Sequence, residues 1–221
     1  MVLNQAISKL PERCREVFEL SRFENLKNKE IAEKLDVTVS EQNLRSTGIK
    51  VKSGICKVKG KNILIGECGH ASRSAKYFIP TYCGGENALP VINIMEYTHK
   101  IWKEGRLKLN PNVVTERVAY HDPCNIARQR WIIDQPRELL KAFCKNYVEM
   151  TPSGDQNICC GGGGGTVSID EIRSYRTTVG GKLKADQIRK SGCEILVAPC
   201  ANCKKQLREL VEDQGIDCQV V

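Results

Sequence analysis

Apolar residues recur at helical spacing through the first forty positions. Near residue 60 they give way to short apolar runs that alternate with amphipathic stretches. Ala6 to Leu10, Cys14 to Phe23 and Lys29 to Leu35 each read as helix, with Pro11 placed where a second helix opens. The stretch from Ser46 to Gly60 combines three glycines with several lysines and no acidic residue, the make-up of a linker or a lysine-edged hairpin. From Asn62 the pattern is strand then helix, repeated. Ile63 to Gly66, Arg117 to Tyr120 and Glu194 to Ala198 predict strands. His70 to Tyr77, Ile92 to Trp102, Pro136 to Phe143 and Cys200 to Glu212 predict helices. Ile169 to Lys190 predicts a long helical region open to a break at Gly180-Gly181. This alternation predicts an α/β layered domain with a largely parallel sheet, preceded by a small helical segment.

Composition narrows the class without naming a function. With 221 residues, 41% hydrophobic and 27% charged, the chain can bury one core, or one domain with a small appendage. Aromatic residues make up 5%, so that core is mostly aliphatic. No apolar run approaches the roughly 20 residues that span a bilayer. Met1 to Leu10 also lacks the basic-then-apolar layout of a signal peptide. The chain therefore reads as cytoplasmic, with room to dock peripherally on the inner face of the cytoplasmic membrane. The net charge of +8 is denser at the start, where residues 1–60 hold 12 Lys/Arg against 8 Asp/Glu. Such a surplus suits an acidic protein or anionic lipid as well as nucleic acid.

The cysteines carry the chemistry. Twelve in a chain that reads as cytoplasmic favour a reduced metal site over disulfides. Five of them form the pattern C-x34-CC-x39-CxxC: Cys124, Cys159, Cys160, Cys200 and Cys203. Two adjacent thiols cannot point the same way from a regular strand or helix. A pair that runs into Gly161 to Gly165 is therefore a loop wrapped round a ligand, and an iron–sulfur cluster is the expected one. Cys124 and Cys200 each follow a predicted strand, at the edge where open α/β sheets place their sites. Cys200 and Cys203 fall in the first turn of the next helix, where free backbone N–H groups favour thiolates. Gly161 and Gly162 offer N–H donors to cluster sulfurs, and His121 is a candidate hydrogen-bond donor or proton gate. The rival reading is structural zinc, which favours two short knuckles over a CC pair. Among the other cysteines, Cys14, Cys56, Cys83, Cys144, Cys193 and Cys218 read as buried small hydrophobes, and Cys68, beside His70, stays open. Lys204, Lys205, Arg128 and Arg130 are either partner contacts or solvated surface.

Three strings extend the pattern: Tyr120-His-Asp-Pro-Cys-Asn-Ile-Ala-Arg128, Cys159-Cys-Gly-Gly-Gly-Gly-Gly-Thr-Val-Ser-Ile-Asp170 and Val197-Ala-Pro-Cys-Ala-Asn-Cys-Lys-Lys-Gln-Leu207. With them, residues 62–221 resemble the cysteine-rich CCG domain of heterodisulfide-reductase-like proteins, including the iron–sulfur subunits of sulfite-reduction-associated membrane complexes. The resemblance implies that the five cysteines ligate a noncubane [4Fe–4S] cluster. It also implies an oxidoreductase that takes electrons from a membrane cytochrome subunit and reduces a disulfide or trisulfide on a small sulfur-carrier protein. Residues 62–115, with Gly66-Glu-Cys-Gly-His70, look like the remnant of a preceding cysteine-rich module. No C-x2-C-x2-C-x3-C-P run for a ferredoxin-type cluster, which the family's full-length members carry, occurs in the sequence.

The first segment resembles something unrelated. Ala6-Ile-Ser-Lys-Leu-Pro-Glu-Arg-Cys-Arg-Glu-Val-Phe18 and Ser21-Arg-Phe-Glu-Asn-Leu-Lys-Asn-Lys-Glu-Ile-Ala-Glu-Lys-Leu-Asp-Val37 are similar to region 4 of extracytoplasmic-function sigma factors. That likeness gives residues 1–45 a helix-turn-helix character, with 46–61 as linker. The second helix, from Thr38, meets Gly48 early, which leaves few phosphate and base contacts. DNA is therefore not the expected partner of this segment alone. The alternative function is a DNA-binding regulator whose cluster senses redox state.

Overall fold

The structure is a computed structural model that describes residues 12, 15–16, 19–20, 24, 26, 28–35, 63–66, 68–83, 90–111, 113–163 and 165–221. The expected helix at Ala6 to Leu10, the second helix from Thr38 and the stretch Ser46 to Gly60 lie outside them. The chain divides into two compact units, residues 1–63 with 73–91, and residues 64–72 with 92–221.

In the first unit Glu12, Arg15, Glu16, Glu19 and Leu20 are helical, and α1 spans Asn28–Lys34. Leu20, Ile31 and Leu35 bury together with Leu26 packed against them, the one-sided apolar stripe that the periodicity predicts. The predicted helix from His70 to Tyr77 is more irregular than its pattern. It opens as α2 (Gly69–Arg73), widens into a π-helical turn over Ser74–Phe78 and closes as α3 (Ile79–Cys83). The Arg73 guanidinium stacks 5.0 Å from the Phe78 ring centroid inside that turn.

The short strands β1 (Ile63–Ile65) and β2 (Val91–Asn93) pair as a two-stranded sheet. The helix expected from Ile92 starts later, because Asn93 caps it. Its side chain accepts from Met95 N at 2.9 Å, and the Glu96 carboxylate accepts from Asn93 N at 3.0 Å. The helix itself, α4, is Ile94–Lys103.

The second unit is built on four parallel strands in the order β4-β3-β5-β6. β3 is Val114–Tyr120, followed by the single turn α5 (Cys124–Ala127), α6 (Asp134–Phe143) and β4 (Cys144–Val148). α7 (Arg173–Thr178) and α8 (Lys182–Ser191) lead to β5 (Ile195–Val197), α9 (Ala201–Asp213) and β6 (Gln219–Val220). Register pairs Val118, Ala119 and Tyr120 with Ile195, Leu196 and Val197.

Strand alternation then sorts the core onto two faces. Val118 and Tyr120 pack with Leu140 of α6 on one face. Ala119 and Leu196 pack with Ala185, Ile188, Leu207 and Leu210 of α8 and α9 on the other. The long helical region does break near Gly180-Gly181. A Cβ on Gly181 would lie 2.2 Å from Leu210 Cδ1 and 2.9 Å from Thr177 O, so the close approach of α9 requires glycine there.

Candidate metal centre

The central strands β3 and β5 each deliver a cysteine at their carboxyl ends. Beyond Tyr120 the chain runs through His121, Asp122 and Pro123 to Cys124, the first residue of α5. Beyond Val197 it reaches Cys200, the extended residue before α9, and Cys203 lies one turn inside that helix. Cys159 and Cys160 enter from the loop after β4. All five line one hollow with His70, Pro123, Asn125, Gly162, Gly163 and Asn202. The adjacent pair splits as its geometry demands: Cys160 is buried and Cys159 exposed. The Cys160 and Cys203 sulfurs stand 3.3 Å apart.

Backbone N–H groups point at these sulfurs. Gly161 N lies 3.4 Å from Cys159 Sγ, and Gly162 N 3.4 Å from Cys160 Sγ. Gly162 has no room for a side chain, since a Cβ there would sit 2.8 Å from Gln206 Cβ and 3.1 Å from Val167 Cγ1. Thiol protons are distributed unequally. Hydrogen bonds from Cys124 first and Cys160 second draw Cys159 down to about 2. The Cys203 thiol, with N–H groups of Cys203, Gly69 and Asn202, brings Cys200 to about 5. Cys160 is pushed up to about 11 by its bond to Cys159, and Cys124 and Cys203 are driven up by their thiol neighbours. Thiolates packed this closely repel one another, so full ionisation calls for a cation among them.

Two buried nitrogen groups adjoin the sulfurs. His121 is 1% exposed, and neither ring nitrogen has a hydrogen-bond partner among the described residues. One of those nitrogens, Cys160 Sγ and Cys203 Sγ lie within 4.8 Å of one another. Burial first, then Lys184, depresses the imidazole to about 3, so the ring is neutral. Lys184 itself is 1% exposed and bonds Gln187 Oε1. Among the described residues it forms no ion pair with a carboxylate, and burial lowers it to about 8. Sequence reasoning misses Lys184, because a lysine on an amphipathic helix reads as solvated surface.

The turn that carries Cys124 is locked from below. Arg137 grips Asp122 through both carboxylate oxygens, at 2.9 and 2.7 Å, with Asp122 2% exposed. Asp122 Oδ2 also accepts from Gly154 N at 2.8 Å, and Asp122 O accepts from Asn157 Nδ2 at 2.6 Å. These bonds tie the Cys124 turn to the segment leading into Cys159. Cys68 is not among the residues that line the hollow, and its sulfur accepts from Ala71 N at 3.3 Å in the first turn of α2. His70 does reach the hollow's lining.

Residues 118–208 match the family described as "Cysteine-rich domain" (CCG). This segment is a CCG cysteine-rich domain. Its match ends one residue past the strings that hold all five cysteines. Residues 1–41 match "Sigma-70, region 4". The chain is 32% identical over 141 residues to a "Probable membrane-anchored ferredoxin" of Chromohalobacter salexigens, covering 63% of this chain and 20% of that protein. It is 28% identical over 197 residues to the "Hdr-like menaquinol oxidoreductase iron-sulfur subunit 2" of Archaeoglobus fulgidus, covering 72% and 35%. Over 165 residues it is 26% identical to one component of the "Dihydromethanophenazine:CoB--CoM heterodisulfide reductase" of Methanosarcina acetivorans, covering 74% and 39%. The chain thus spans between a fifth and two fifths of the length of these relatives. No solved structure matches it.

The donor set of the CCG domain fits a [4Fe–4S] cluster. It offers soft thiolates round one hollow, backbone N–H groups aimed at the sulfurs, a glycine where no side chain fits and a buried imidazole with no other partner among the described residues. Among the described residues no helix is long and apolar enough to cross a membrane.

Proposed function

We propose that Cys124, Cys159, Cys160, Cys200 and Cys203 hold a noncubane [4Fe–4S] cluster and that the domain passes electrons to a sulfur–sulfur bond. The substrate class is a disulfide or trisulfide on a small sulfur-carrier protein, with electrons supplied by a membrane cytochrome subunit. The convergence of five cysteines from three separate loops on one hollow carries this reading. Four thiolates saturate a cubane, so a fifth favours a different arrangement.

When bound, the cluster supplies the electrons that S–S reduction requires. The chain's own residues prepare the place. Gly161 and Gly162 donate N–H groups to cysteine sulfurs and so ease the build-up of negative charge. His121 keeps a nitrogen free beside Cys160 and Cys203, and Lys184 supplies a buried positive charge. Cys159, the exposed member of the pair, together with Cys124 marks the side from which a partner's sulfur arrives. The Asp122–Arg137 pair holds the Cys124 turn in place.

The test is anaerobic purification with iron and acid-labile sulfide analysis and an electron paramagnetic resonance spectrum after oxidation. About four irons and four sulfides per chain are expected, with a signal that appears on oxidation. Cys160→Ser should remove both the signal and the visible absorption. Zinc without iron would overturn the proposal and leave the cysteines as a structural knot.

A further inference from the structure

A second pair of thiols meets at the opposite end of β5 from the cysteine hollow. Cys193 lies two residues before β5, and Cys218 immediately before β6. Their sulfurs are 3.5 Å apart. The two strands are parallel neighbours, with Ile195 facing Gln219, and Gln219 N donates to Glu194 O at 2.8 Å. Neighbouring strands run about 4.8 Å apart, and a disulfide spans Cα atoms about 4.4–6.8 Å apart. A bond therefore needs the sulfurs to close by only about 1.5 Å, to the usual length near 2.05 Å. The two thiols differ in access: Cys193 is 4% exposed, whereas Cys218 is half-buried.

We propose that Cys193 and Cys218 form a second redox site, a reversible dithiol/disulfide pair that exchanges with low-molecular-weight disulfides. Cys218, the accessible member, is the entry thiol. The Cys218 sulfur attacks one sulfur of RS–SR and expels RS⁻, which takes the Cys218 proton and leaves as RSH. Cys193 then gives up its proton and attacks the Cys218 sulfur of the mixed disulfide, expelling the second RS⁻. One S–S bond breaks and one forms. The two electrons lost by the protein thiols reduce RS–SR to two thiols, which collect the two protons. In the dithiol, hydrogen bonding by the Cys218 thiol, with help from Ser191 and Arg117, lowers Cys193 to about 7, and the same contact drives the Cys218 thiol up. The bridge would close a loop that contains β5, Cys200, Cys203 and α9. It would thereby clamp the CxxC segment to the sheet without using any of the five clustered cysteines.

The experiment treats the anaerobic protein, in the metal state in which it is isolated, with glutathione disulfide, then quenches in acid and alkylates free thiols. Digestion follows with trypsin and a glutamate-specific protease. Cleavage after Lys190, Glu194 and Glu212 separates Cys193 from Cys200 and Cys203, and places Cys218 on its own peptide. The expected product is the Cys193 peptide joined to the Cys218 peptide, two hydrogens lighter than the sum, and reversed by a small dithiol. Cys193→Ser should instead accumulate glutathione on Cys218, several-fold above the wild-type level. Independent alkylation of both thiols in the wild type, or glutathione adducts without the joined peptide, would overturn the proposal.

Discussion

The Asp122–Arg137 pair is the sharpest place to test how the CCG domain holds its cysteine turns. In Arg137→Met the aliphatic stem is kept and the guanidinium removed. Asp122, 2% exposed, then loses two charge-assisted bonds of 2.9 and 2.7 Å and keeps, among the described residues, only the N–H of Gly154 as a donor to its carboxylate. Each such bond is worth about 1.5–3 kcal/mol. Breaking a buried ion pair from one side costs about 3–5 kcal/mol, because the remaining charge stays desolvated. The expected loss is therefore about 3–5 kcal/mol. For a domain of this size that corresponds to a fall of roughly 6–20 °C in melting temperature.

The second carboxylate on Arg137 serves as an internal control. Glu149 lies 2.7 Å from Nε but is 36% exposed, so Glu149→Gln should cost under about 1 kcal/mol. Anaerobic urea titrations of the wild type, Arg137→Met, Asp122→Asn and Asp122→Asn/Arg137→Met give the coupling directly, with Glu149→Gln measured alongside. The double variant should recover at least half of the single variant's loss, since no buried charge is then left alone. A cost below about 1.5 kcal/mol for Arg137→Met, or a double variant no better than the single, would refute the reasoning.

Three further outcomes follow from the same geometry. Gly162→Ala, forced 2.8 Å from Gln206 Cβ, should cost about 1–3 kcal/mol and bleach the visible absorption. Gly163→Ala, with nothing within 4 Å of the new methyl group, should stay within about 0.5 kcal/mol and keep its colour. Lys184→Met should retain iron and sulfide while lowering the midpoint potential by on the order of 100 mV, the effect of losing a charge several ångströms away at an effective dielectric of about 20; a redox titration followed by electron paramagnetic resonance reads it. Cys68→Ser should leave iron content unchanged, because the Cys68 sulfur serves Ala71 N, and metal analysis of that variant checks it.

The parts of the CCG domain legible in the sequence are those where a local pattern and the fold agree. Within the strand predicted at Glu194 to Ala198, Ile195 to Ala198 is an unbroken apolar run that ends at a proline, and β5 lies inside it. The helix predicted from Cys200 is α9, because its apolar residues recur every three or four positions and Leu207 and Leu210 bury. β4 escapes the pattern because Lys145 and Asn146 are exposed on an edge strand, which erases the alternation. Ile92 falls inside a predicted helix because apolar periodicity does not register an asparagine cap. Lys184 and Arg137 are invisible for a different reason. Arg137 meets Asp122 and Glu149, and Lys184 is covered, only once the fold has formed, and no spacing rule reports that. The nearness of Cys193 to Cys218 likewise depends on β5 and β6 becoming neighbours.

Because β3 and β5 lie side by side, the hollow comes into being only when residues some eighty positions apart in the chain have met. A nascent polypeptide has no such place to offer until α9 has been synthesised and docked. Folding and binding at the hollow are therefore coupled, each favouring the arrangement that the other needs. Cys160 and Cys203, 43 positions apart in the chain, record that meeting in a single contact between sulfurs 3.3 Å apart.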